Sequence, residues 1–76
     1  MSKRKYLRFD DLGSSASGKT RIWRVQNAIT MSELGCIVWQ AGWRRYVFCP
    51  RSSTVYDAGC LREIAAFIEQ QMEARL

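Results

Sequence analysis

The chain has 76 residues, twelve Lys or Arg against seven Asp or Glu, no histidine, and a net charge of +5 at pH 7 with pI ≈ 9.6. At 47% hydrophobic and 12% aromatic it is too apolar to stay disordered, and it has room for one small domain with a modest core. No apolar run approaches the roughly 20 residues that span a bilayer, and the basic start lacks the apolar stretch of a secretory leader, so the expectation is a cytoplasmic protein with no membrane contact.

Residues 1–19 read as a flexible basic arm and a Ser/Gly linker. "MSKRKYLRFDDL" carries charges that interrupt every short apolar run. The linker "GSSASGKT", Gly13 to Thr20, spells G-x-x-x-x-G-K-[ST], the pattern of a loop that cradles nucleotide phosphates. That chemistry needs a buried strand before the loop and a helix opening directly after it. The segment that comes next, "TRIWRVQN", carries Ile22, Trp23 and Val25 and reads as a strand. The motif is therefore assigned to the linker, and no cofactor is expected.

Residues 20–76 read as a single α+β domain. Strands are predicted at about 20–27, 34–41 and 43–49, with Ala41-Gly42 as a two-residue hairpin turn and Gly42 supplying the positive φ. Pro50 ends the third strand by removing a ladder donor. Asp57 then stands as the N-cap of a helix whose apolar face is Leu61, Ile64, Ala65, Ile68 and Met72. The predicted architecture is a three-stranded antiparallel meander packed by one C-terminal helix, β-β-β-α.

Strand alternation puts Ile37 and Trp39 opposite in direction to Cys36 and Val38, and Arg44, Tyr46 and Phe48 opposite to Trp43, Arg45, Val47 and Cys49. Both sheet faces thus carry apolar groups, and one helix covers only one of them. The second face calls for the arm (through Tyr6, Leu7 and Phe9), a second copy of the chain, or a partner.

Catalytic constellations are lacking. There is no histidine, no nucleophile with a base at recognisable spacing, and no close carboxylate pair outside Asp10-Asp11, so no enzyme is expected. Cys36, Cys49 and Cys60 are too widely spaced for structural zinc and sit among apolar neighbours, as reduced buried thiols do.

Charge is unevenly divided. Residues 1–51 hold ten Lys or Arg against three acids, and residues 52–76 hold two against four. The predicted strands interleave arginine with aromatics, a combination that neutralises phosphates and stacks on unpaired bases. The candidate nucleic-acid residues are Arg21, Arg24, Trp39, Arg44, Arg45, Tyr46 and Arg51. Trp, Tyr and Arg also dominate protein interfaces. The competing expectation is a protein-interaction module, either a homodimer or an inhibitor of a host protein.

The segment "LGCIVWQAGWRRYVFCPRSSTVYDAGCLREIAAFIEQ" resembles a group of small phage and prophage proteins of unknown function. The likeness rests on Gly35, Trp39, the W-R-x-Y strand at Trp43, Arg44 and Tyr46, then Phe48, Pro50, Asp57 and the helix residues Cys60, Leu61, Ile64 and Phe67. It implies a phage origin and action inside a host cell. In element order and a basic aromatic hairpin, over residues 20–75, the chain is also similar to the sheet-type DNA-binding domains of some phage integrases.

Overall fold

A computed structural model describes residues 6–75; Lys3, Arg4 and Lys5 of the expected arm lie outside the described residues. Five elements succeed one another: β1 (Leu7–Ser14), β2 (Arg21–Asn27), β3 (Glu33–Gln40), β4 (Arg45–Pro50) and α1 (Ala58–Ala74). The strands form one antiparallel sheet in the order β1-β2-β3-β4. The α+β class and the C-terminal helix agree with the sequence reading. The sheet, however, has four strands where three were expected.

The additional strand comes from the segment read as arm and linker. In "LRFDDLGS", Leu7 and Phe9 point to the helix, while Arg8 and Asp10 point the other way and pair along an open face. An antiparallel edge strand with one wet face tolerates such charges. Leu7 and Phe9 therefore extend the core and do not cover the second face, which was one of the three coverings open to it. The register slips between Asp11 and Gly13, where Leu12 bulges outward and Gly13 takes φ 107°.

The core lies between the helix and one sheet face. Leu7, Trp23, Val25, Ile37, Tyr46 and Ile64 are buried, and Val25 and Ile37 are fully enclosed. Aromatic rings run across it. Phe67 stacks on Phe9 with centroids 4.2 Å apart and meets Trp23 edge-on at 5.2 Å. Tyr46 lies edge-on to Trp23 at 5.1 Å and to Trp39 at 5.2 Å. These offset and T-shaped arrangements match the quadrupoles of the rings.

Asp57 caps α1 as expected, its Oδ1 accepting from the Cys60 N–H at 2.8 Å. The packed face of the helix differs from the expected one. Cys60, Ile64, Phe67, Ile68 and Met72 face the sheet, whereas Leu61 and Ala65 are exposed. A sheet that is one strand wider draws Phe67 inward to reach β1 and turns Leu61 out. Ahead of the helix, the Tyr56 hydroxyl donates to the Leu34 carbonyl at 2.6 Å and fixes the chain's entry into α1.

Candidate nucleic-acid interface

In an antiparallel meander, the β1–β2 loop, the β3–β4 loop and the C-terminus of a helix that starts after β4 all fall at one end. Lys19, Trp43, Arg44, Arg45 and Arg75 meet there. A contact confirms the convergence: Arg75 Nη1 donates to the Lys19 carbonyl at 3.3 Å.

The motif "GSSASGKT" is the β1–β2 hairpin connection. Its backbone donors turn inward to protein acceptors: Ser15 N–H to Thr20 O at 2.7 Å, Gly18 N–H to Ser15 O at 2.9 Å, and Lys19 N–H to Ser17 Oγ at 3.2 Å. The Thr20 hydroxyl is spent on Ser15 Oγ at 2.7 Å. With the Ser15, Gly18 and Lys19 donors occupied and a strand after it, the loop is a closed turn and not a phosphate cradle. It does present the exposed Lys19 ammonium.

The β3–β4 connection spans Ala41 to Arg44, four residues where two were expected. Gln40 O accepts from the N–H groups of Trp43 (3.1 Å) and Arg44 (2.7 Å). The positive φ falls on Arg44, at 58°, and Gly42 shows none. The turn leaves Trp43 65% exposed, with Arg44 and Arg45 exposed beside it. Arg45 Nε donates back to the Trp43 carbonyl at 3.2 Å.

At the end of α1, the Arg75 guanidinium lies 4.2 Å from the centroid of Trp39 and 5.9 Å from that of Tyr46. Its charge sits at the negative end of the helix dipole and over two ring faces, which holds the side chain in place.

The seven residues expected to bind nucleic acid separate into groups. Arg44 and Arg45 reach the hairpin end and make no ion pair with a described carboxylate. Arg21 is near them, but both its Nε and Nη2 are held by Asp11 at 3.0 Å, which raises the guanidinium pKa and lowers that of the carboxyl. Arg24 lies mid-sheet, with Nη2 on Asp10 at 3.1 Å and a buried Nε without a partner. Hydrogen bonds from Arg8 first and then Arg24 hold the Asp10 carboxyl below its usual range. Arg51 is at the opposite end, paired with Glu33 at 3.2 Å. Tyr46 is buried and Trp39 half-buried under Arg75, so neither offers an open ring face.

Three members of the cluster were not among the expected residues: Lys19, Trp43 and Arg75. A signal for Lys19 and Arg75 exists in element order, because the residue before β2, the β3–β4 turn and the end of a helix returning from β4 fall at one end with or without β1. Comparisons with protein-family models, curated proteins and solved structures give no match. Function is therefore read from this chain's own residues.

Proposed function

We propose that the chain binds single-stranded nucleic acid through its hairpin end. Lys19, Arg44, Arg45 and Arg75 supply phosphate contacts, and Trp43 supplies the face on which a base stacks. The observation that carries this is the pairing of one largely exposed tryptophan with four cations that no described carboxylate neutralises. Duplex DNA buries its bases in stacks, so an isolated indole favours unpaired strands. The expected phage origin fits such a role without requiring it.

The test is fluorescence anisotropy with labelled oligonucleotides, single-stranded and duplex, DNA and RNA. Trp43→Ala and Arg45→Glu are expected to weaken single-strand binding, Trp43→Ala by the roughly 1–3 kcal/mol of one stacked base. Arg51→Glu, at the other end, is expected to leave it nearly unchanged. Equal loss at Arg51 and Arg45 would dismiss the hairpin end as the site.

A second reading rests on the open sheet face. Ile22, Cys36, Val38 and Val47 are only half-buried there, and no described residue of the chain covers them. A second copy laid face to face would bury the same aliphatic rows from both sides. Sedimentation of the wild type and of Val38→Arg decides it: a dimer that the substitution dissolves supports this reading.

A further inference from the structure

Two of the three cysteines, far apart in sequence, are direct cross-strand neighbours. Cys36 on β3 pairs with Cys49 on β4, and both side chains leave the sheet on the open face, away from the helix. Cys49 is exposed and Cys36 half-buried. Cys60 lies on the helix face, with the sheet between it and the pair.

The register fixes the distance class. Arg51 N–H donates to Leu34 O at 2.8 Å, which makes 34/51 a hydrogen-bonded rung. Alternation makes Cys36/Cys49 the next such rung, and in that class Cα atoms lie about 5.5 Å apart. Disulfides accept Cα separations of about 4.4–6.8 Å. The Cα separation is thus in range, while the Cβ atoms of such a rung, about 5 Å apart, must approach by roughly an ångström to reach the 3.5–4.5 Å of a disulfide, a small adjustment of the edge strand β4 together with side-chain rotation.

We propose that Cys36 and Cys49 are a dithiol modification site that a hydroperoxide converts to a reversible intramolecular disulfide between β3 and β4. The two thiols differ in accessibility, which sets the order of events. Burial and the neighbouring thiol raise the Cys36 pKa, so the exposed Cys49 thiolate reacts first. Its sulfur attacks one peroxide oxygen, the O–O bond breaks, and the departing hydroxide takes up a proton to leave as water, giving a sulfenic acid. The Cys36 sulfur then attacks the sulfenic sulfur, the S–O bond breaks, and a second water carries off the Cys36 proton. Two thiols have lost two electrons and the peroxide has gained them. The product bridges the hairpin that presents Trp43, Arg44 and Arg45. It therefore couples an oxidant to the rigidity of that tip, although the chemistry stands whether or not the tip binds nucleic acid.

The test treats the reduced full chain with a small excess of hydrogen peroxide and tracks free thiols, intact mass and non-reducing peptide maps. The expected result is a fall from three titratable thiols to one, loss of two hydrogens from the monomer, and a single Cys36–Cys49 cross-linked peptide pair that dithiothreitol reverses. In Cys36→Ser, the Cys49 sulfenic acid should persist long enough for capture by dimedone. Oxidation in denaturing urea, where register is lost, should scatter the cross-links among all three cysteines. The proposal is overturned by three thiols surviving, by Cys49 advancing to the sulfinic acid while Cys36 stays titratable, or by a covalent dimer through Cys49.

Discussion

Arg44 stands in a backbone conformation that an L residue resists, with φ at 58° in the β3–β4 turn. Sequence logic placed that strain on Gly42, because Ala-Gly suits a two-residue hairpin. Packing decides otherwise: a two-residue turn would set Arg44 opposite Trp39 on the helix face, whereas the four-residue turn sets Tyr46 there. Keeping the Arg44 guanidinium out of the ladder and setting the Tyr46 ring edge-on to Trp39 outweighs one left-handed residue. Arg44→Gly is accordingly expected to raise stability by up to about 1 kcal/mol in urea titration, while weakening oligonucleotide binding through the lost charge. Gly35 is the reverse case. A Cβ there would collide with the Cys49 carbonyl oxygen and approach both Phe48 Cε1 and Pro50 Cα at 2.9 Å. Backbone on the neighbouring strand does not give way as a side-chain tip does, so Gly35→Ala is expected to cost about 1–3 kcal/mol, read as a lower urea midpoint. That requirement was visible in the sequence only as a glycine at the start of a strand.

Among the elements, β1 was hidden and the rest were legible. Strands β2 to β4 and the Asp57-capped helix emerge from β-branched and aromatic runs, Pro50 and the apolar spacing of α1. The β1 segment hides behind its charges, because a reading of composition counts Arg8, Asp10 and Asp11 without asking which face each occupies. Their partners lie across the sheet, with Asp10 between Arg8 (2.8 Å) and Arg24 (3.1 Å) and Asp11 against Arg21. Phe9→Ala is expected to destabilise by about 2–3 kcal/mol, below the range for a fully buried ring because Phe9 is only partly buried. Leu12→Ala, at the exposed bulge, should change little. Urea midpoints for the two variants test whether β1 belongs to the folded unit. The carboxylates add a pH signature. Asp10, Asp11 and Asp57 all have folded pKa values below those of free carboxyls, from arginine or backbone hydrogen bonds. Stability from such groups is fully present above the unfolded value, about pH 4, and is lost as pH falls through the lower folded values. With no histidine to titrate, the urea midpoint should stay level from about pH 5 to 8 and decline only below about 4.

On the scale of the whole molecule, the count of twelve basic residues overstates what a ligand meets on the folded surface. Arg8, Arg21, Arg24 and Arg51 are each held by a carboxylate. Among the described residues, four of the five cations without an ion pair, Lys19, Arg44, Arg45 and Arg75, gather at the hairpin end while Arg62 lies near the start of α1, an arrangement produced by topology and absent from any local stretch of sequence. That separation makes a quantitative difference. Were every basic residue to contribute, binding would weaken with salt far more steeply than four contacts allow. For Lys19, Arg44, Arg45 and Arg75 on a single strand, the log–log slope of affinity against salt should be about −3. Replacing Arg44 with Gly and Arg45 with Gln should reduce it by about 1.4, half the total, without altering the tryptophan contribution. Trp43→Ala should do the opposite, lowering affinity at every salt concentration while leaving the slope intact, because stacking releases no counterions. Anisotropy titrations at four or five salt concentrations on these two variants separate the terms. If Trp43→Ala changed the slope and the arginine replacements did not, indole and guanidinium would not act as assigned, and the open sheet face would become the stronger candidate for the protein's contact with its partner.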